Sequence, residues 1–220
     1  MKHYLVPATP AGPTEIKEKG SRFISYLIPV DSPENAEEAL KGLRKEHYNS
    51  THVCFAWRLG NGEEKAFRYS DDGEPNGTAG VPIYNVVKGS GIFNILIASV
   101  RYYGGTKLGT GGLIRAYSAS AKAVLDIVKT SKIIPKQRCI VKTPFKQISI
   151  VTHIIEKTEE SEIIRRDYEA DGVALFVDIP VENVEKFKQN IVEATASQTT
   201  IEEVSLSERG GQGAHSQIRE

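Results

Sequence analysis

Ile92-Phe93-Asn94-Ile95-Leu96-Ile97-Ala98-Ser99-Val100 is almost continuously apolar, and Arg101-Tyr102-Tyr103-Gly104-Gly105-Thr106-Lys107-Leu108-Gly109-Thr110-Gly111-Gly112 follows it directly. A run of that length and character predicts a central strand covered on both faces. Beyond the glycines, Leu113, Ile114, Tyr117, Ala121, Val124, Leu125 and Val128 recur at helical spacing. A long helix is therefore expected from near Gly112 to near Thr130. A buried strand, a glycine-rich joint and a long helix predict a mixed α+β domain.

Working towards the N-terminus, His52, Cys54 and Ala56 alternate with Val53, Phe55 and Trp57, the period of a strand buried on at least one side. The stretch from Leu59 to Gly80 reads as turn-rich. Ser21 to Val30 reads as another strand, and Asp31-Ser32-Pro33 offers a capped helix start, with Ala36, Ala39, Leu40 and Leu43 on one face. What precedes Ser21 is a lead-in containing proline and glycine.

Working towards the C-terminus, Pro135 marks a seam, and the elements after it have a legible order. A strand from Arg138 to Thr143 leads to a helix carrying Ile148, Val151, Ile154 and Ile155. Strands at Glu162 to Tyr168 and Val173 to Ile179 flank the turn Ala170-Asp171-Gly172. A helix with Val184, Phe187 and Ile191 precedes a last strand, Thr200 to Leu206. This βαββαβ order is the ferredoxin-like arrangement. The expected division is residues 1–134, residues 135–207 and a disordered tail over residues 208–220, polar and without periodicity.

Composition narrows the functional classes. Lysines and arginines number 28 and aspartates and glutamates 28, so no net field draws the molecule to naked nucleic acid or an anionic membrane. Any such contact must come from a local patch. Cys54 and Cys139, the two cysteines, are too few for a disulfide framework and are expected as buried thiols. No apolar run approaches a signal peptide or a membrane span, which predicts a soluble, cytoplasmic protein.

Two glycine-rich segments hold the candidate site. In the second, the strand–glycine–helix joint, Arg101, Lys107 and Arg115 would flank an anion-binding or partner-binding turn. Tyr102, Tyr103, Gly104, Gly105, Gly109, Gly111 and Gly112 would form its wall, because glycines admit close approach and a helix N-terminus favours phosphate or carboxylate. The bland alternative is that these glycines only make tight turns and close helix–sheet packing. Neither GxxxxGK[ST] nor a Rossmann frame occurs, and no nucleotide cofactor is expected. In the first segment, Ser70-Asp71-Asp72-Gly73-Glu74-Pro75-Asn76-Gly77-Thr78-Ala79-Gly80, the acids could cap loop amides, hold a hard cation such as Mg²⁺, or meet a partner. His47, His52 and Cys54 lack a fourth ligand at zinc spacing. No GxSxG elbow is present and no catalytic residue is singled out. Gly210-Gly211-Gln212 resembles the tripeptide of peptide-release factors but lacks its surrounding motif.

Taken together, Ser70 to Pro75, Gly77 to Gly80, Arg101 to Gly105, Lys107 to Gly109 and Gly111 to Tyr117 closely resemble the IMPACT/YigZ family. Lys19-Gly20-Ser21-Arg22-Phe23-Ile24 and His52-Val53-Cys54 match its earlier blocks, so that the likeness runs from about residue 15 to residue 206. It implies an N-terminal domain with the fold of elongation factor G domain IV and ribonuclease PH, and a C-terminal ferredoxin-like domain. Eukaryotic members regulate translation, which implies a translation-associated factor whose partner is the ribosome, a structured RNA or a translation-related protein. Related folds also serve phosphorolytic nucleases and small-molecule kinases. A Mg²⁺-dependent phosphoester or nucleotide enzyme using Asp71, Asp72 and Glu74, and a purely protein-binding adaptor, are therefore the rival expectations.

Overall fold

A computed structural model describes residues 3–204; the expected tail over residues 208–220 and Gly210-Gly211-Gln212 lie outside them. The chain divides into two compact units, residues 3–133 and residues 134 onward.

The first unit is built on the strand that the apolar run predicts. In chain order its elements are β1 (Tyr4–Pro7), β2 (Ala11–Glu18), β3 (Ser21–Pro29), α1 (Pro33–Glu46), β4 (His52–Gly60), β5 (Glu64–Ser70), α2 (Gly80–Gly89), β6 (Ile95–Tyr102), α3 (Gly109–Leu125) and β7 (Thr130–Ile133). A five-stranded antiparallel sheet has the order β2-β3-β6-β4-β5, placing β6 at its centre. Every residue of β6 up to Arg101 is buried. Alternation along the strand sends Ile95 and Ile97 towards α2 and α3, and Leu96, Ala98 and Val100 towards α1. β1 pairs separately with β7, from Tyr4 opposite Ile133 to Pro7 opposite Thr130.

Local chemistry explains the helix starts. The Ser32 side chain accepts from the Asn35 backbone N–H, and Pro33 opens α1, where its missing N–H costs nothing. α3 begins at Gly109 rather than near Gly112, because the left-handed backbone of Gly109, φ +71°, turns the chain into the helix three residues early. It ends at Leu125, which leaves Thr130 free to enter β7.

The second unit contains β8 (Lys136–Pro144), α4 (Ile148–Lys157), β9 (Glu162–Tyr168), β10 (Gly172–Pro180), α5 (Val184–Thr195) and β11 (Thr200–Glu203). Its antiparallel sheet has the order β11-β8-β10-β9. Both helices lie on one face, where Val151, Ile155, Phe187 and Ile191 meet Val141 and Leu175.

Candidate functional site

The strand order gathers both glycine-rich segments at one end of the first sheet. Arg101, near the end of β6, lies opposite His52 at the start of β4, while Tyr102 lies opposite Arg22 near the start of β3. Ser70, ending β5, pairs with Phe55. The chain leaves β5 for α2 and β6 for α3, so the N-termini of these helices belong to the same end.

The two termini are finished in opposite ways. Asp71 closes α2: its Oδ1 accepts from the Ala79 and Gly80 N–H groups at 2.9 and 2.8 Å, and its Oδ2 from Gly77 N–H at 2.9 Å. Those amides would otherwise be orphan donors, and the carboxylate also offsets the positive helix end. Asp72 turns the other way, accepting from Val53 N–H at 2.7 Å, with Arg44 of α1 at 3.4 Å. Ser70 Oγ receives the Asp72 N–H, and the Thr78 hydroxyl donates to the Pro75 carbonyl.

Glu74 points inward and is 8% exposed. One of its oxygens, Oε1, accepts from Arg101 Nη1 at 2.5 Å and from the Tyr117 hydroxyl at 2.8 Å. Arg101 is itself 5% exposed. Its Nη2 donates to Ser21 Oγ at 3.2 Å, and the same oxygen receives Gly104 N–H. His52 borders this cluster, with Nε2 3.9 Å from Glu74 and Nδ1 2.7 Å from the Asp72 carbonyl; because a carbonyl only accepts, Nδ1 carries the hydrogen. The acids thus serve three separate destinations, and among the described residues no group of three His, Cys, Asp or Glu is placed to hold a metal ion.

Arg101, expected to face an anion, is therefore an interior residue. It shares a strand face with Ser99 and Ile97, and its charge is taken up by Glu74. Tyr103 lies over its guanidinium, 5.5 Å from ring centroid to Cζ, and fixes the loop through a backbone N–H to Thr51 Oγ1. The Tyr102 hydroxyl meets His47 Nδ1 at 2.8 Å, while His47 Nε2 meets Tyr26 at 2.8 Å. Gly104 passes so close to Gly20 that a Cβ on it would sit 1.9 Å from the Gly20 carbonyl carbon, so no side chain fits there.

The start of α3 is open by contrast. Gly105, Thr106, Lys107, Gly109, Thr110, Gly111 and Arg115 are all exposed. No side chain caps the helix, and its first turn holds no acid. Arg115 folds back so that Nη1 lies 3.6 Å from where a Gly111 Cβ would be. Neither Lys107 nor Arg115 has an ion-pair or hydrogen-bond partner among the described residues. Two unneutralised cations thus flank the positive end of a helix, with Gly112 half-buried behind them.

Ser21, Thr51, Tyr117 and His47 belong to this region without having been singled out as site residues. Each acts through a partner at least 20 positions away in sequence, apart from the packing periodicity that Tyr117 already displayed. Burial pushes the Cys54 thiol and Tyr117 hydroxyl well above their ordinary ranges, so neither is a nucleophile at neutral pH. Burial also pushes Cys139 up to about 11. A thiol-disulfide dye at pH 8 is accordingly expected to leave both cysteines unlabelled over minutes in the folded protein and to label both in guanidinium. Fast labelling of Cys54 in folded protein would contradict this environment.

Residues 19–125 match the model of the Impact N-terminal domain. The IMPACT family member YigZ of Escherichia coli strain K12 is 35% identical over 195 residues, spanning 88% of this chain and 94% of that protein. An IMPACT family member of Haemophilus influenzae is 32% identical over 209 residues, spanning 94% of this chain and all of that protein. A crystal structure described as that of a hypothetical protein is 32% identical, with a TM-score of 0.67, and the match covers 94% of this chain and 99% of that one.

Proposed function

Since the chain belongs to the IMPACT family, we infer that it is a translation-associated regulatory factor that contacts ribosomal or other structured RNA through the open start of α3. The observation that carries this reading is the pair Lys107 and Arg115. Both are unneutralised beside exposed helix amides, an arrangement a phosphate would stabilise and a cation would not. Gly104, Gly105, Gly109 and Gly111 keep side chains out of its approach. Arg101, Glu74, Tyr117 and Ser21 are positioning residues in this reading, holding the joint between β6 and α3 from beneath.

The balance of 28 basic against 28 acidic residues favours a shaped target over any long polyanion. No helix among the described residues is long and apolar enough to cross a membrane, and the proposed place of action is the cytoplasm. The Mg²⁺-enzyme reading loses its ligand set, because Asp71, Asp72 and Glu74 are committed to α2, β4 and Arg101. At the level of fold, the order β11-β8-β10-β9 supports a ferredoxin-like second unit. The family resemblance supports a first unit akin to elongation factor G domain IV and ribonuclease PH.

Co-sedimentation with ribosomes and separated subunits over a salt series tests the reading. Saturable binding is expected, and Lys107→Glu/Arg115→Glu should weaken it by about tenfold or more and reduce the slope of log affinity against log salt by roughly 1.5. Binding indifferent to both substitutions would remove this surface from the function. Binding that survives nuclease treatment would turn the assignment towards a protein partner.

A further inference from the structure

The edge of the first sheet carries an aromatic surface that the site above does not use. Phe67 and Tyr69 lie on β5, the outermost strand, and are 48% and 42% exposed. Beneath them is Tyr84 of α2, which is 8% exposed and has its hydroxyl fixed by Glu64 at 2.9 Å. Phe67 stacks on Tyr84 with centroids 4.7 Å apart and planes 23° apart. Tyr69 lies 6.4 Å from Phe67 with planes 17° apart.

The parallel geometry is specific to this place. Elsewhere in the unit, Phe23 with Tyr117 and Tyr4 with Phe93 pack edge to face, at 89° and 86°, as rings do when they fill a core. At β5 the Phe67 ring lies nearly parallel to those of Tyr84 and Tyr69, Tyr69 is tilted by 34° to Tyr84, and both β5 rings remain exposed. Sheet edges are ordinarily guarded by charge or proline rather than by exposed aromatics. Lys88 holds its Nζ 5.9 Å from the Tyr84 ring and has no ion-pair partner among the described residues.

Exposed, near-parallel rings beside an ammonium that has no ion-pair partner among the described residues fit one partner class better than a flat protein surface. We propose that Phe67 and Tyr69, backed by Tyr84, form a stacking platform for the bases of a single-stranded RNA segment. Lys88 contacts its backbone. Aromatic faces take up unpaired bases with little sequence preference, whereas a duplex keeps its bases stacked internally. The platform deepens the RNA reading of the α3 site and rests on it for the identity of the polymer, although its own geometry is separate. By register Phe67 lies level with Arg58 and Ile95 and Tyr69 with Ala56 and Ile97, so the platform runs from the opposite end of the sheet to its middle, apart from the cationic start of α3.

The test uses the full chain and a fluorescein-labelled adenosine dodecamer, read by anisotropy at low salt. The wild type should bind, a pre-formed duplex of equal length should compete poorly, and Phe67→Ala/Tyr69→Ala should weaken binding about tenfold or more. Phe67→Leu keeps an apolar cover over Tyr84 but no flat face, and should weaken binding nearly as much as Phe67→Ala. Trp57 fluorescence checks that each variant is folded. Photocrosslinking of a 4-thiouridine oligomer should map to Phe67 or Tyr69 and persist, at reduced yield, in Lys107→Glu/Arg115→Glu. Unchanged affinity in the double alanine variant, or crosslinks elsewhere in the chain, overturns the platform. Loss of ribosome binding only in Lys107→Glu/Arg115→Glu, with no oligomer binding by the wild type, also overturns it while leaving the α3 site standing. Crosslinks at Phe67 or Tyr69 without any effect of Lys107→Glu/Arg115→Glu on ribosomes would support the platform and reject the α3 site.

Discussion

Arg101→Ala is expected to destabilise the first unit by about 3–5 kcal/mol, the cost of leaving a buried charge without its partner. Once the guanidinium is gone, Glu74 Oε1 keeps one hydrogen bond, from the Tyr117 hydroxyl, with His52 Nε2 at 3.9 Å, and it lies in a place water barely reaches. Gly104 and Ser21 lose an anchor at the same time, because Ser21 Oγ joins Arg101 to the Gly104 amide. The charge explanation makes a sharper claim than instability alone. Arg101→Met with Glu74→Gln removes both charges while keeping most of the volume, and should recover most of the loss. Trp57 is the sole tryptophan and is buried in β4, so its fluorescence in a urea titration follows this unit rather than the other. A loss below about 1 kcal/mol for Arg101→Ala, or a double variant no better than the single, would mean that the ion pair is not what holds the joint.

The second large effect is expected at Asp71. Removing its carboxylate in Asp71→Ala strips acceptors from three backbone amides at the start of α2, two of them on the buried residues Ala79 and Gly80. A single cap is worth about 1 kcal/mol, and hydrogen bonds to a charged acceptor more, so about 2–4 kcal/mol should be lost. Asp71→Asn keeps one carbonyl oxygen but not the charge, and should fall roughly midway. Hydrogen exchange adds position to magnitude: protection should drop at Gly77, Ala79 and Gly80 before it drops in β6. If Asp71→Ala unfolds at the same urea concentration as the wild type, the amides have found water instead and the cap is ornamental.

These residues also show what a linear reading captures. Ile95 to Val100 and the elements after Pro135 were legible because burial on both faces leaves an unbroken apolar run and helix or strand periods repeat locally. β5 was hidden within a stretch that read as turns, since an edge strand has one sheet partner and its Phe67-Arg68-Tyr69 core is exposed. β2 was hidden by Gly12 and Pro13, which an edge strand with a register shift accommodates and a central one would not. α2 was missed for a related reason: glycines bound it at both ends and Pro82 sits in its first turn, where proline is tolerated.

Within the site, the spacing of the acidic loop fits a capping loop, a metal site and a partner surface alike, and offers no means of choosing. The choice lies in where each carboxylate ends up, at α2, β4 or Arg101. The Arg101 case is more instructive, because strand alternation alone places it on the face of Ile97 and Ser99. What the sequence conceals is that Glu74, 27 positions earlier, arrives to neutralise it. Lys107 and Arg115 are exposed and without an ion-pair or hydrogen-bond partner among the described residues, so no distant contact reassigns them as Glu74 reassigns Arg101.

The pairing of β1 with β7 has a meaning in time. Val6 meets Ser131 and Pro7 meets Thr130, so the opening strand of the first unit is completed by its closing one. As the chain leaves the ribosome from its N-terminus, the central sheet can assemble once β6 has emerged, with β1 bridged to it at Leu5 and Ile92, yet β1 gains its strand partner only when β7 follows. Only when β7 appears is the unit sealed, which makes that small two-stranded ribbon a marker that synthesis has passed the first unit and begun the second.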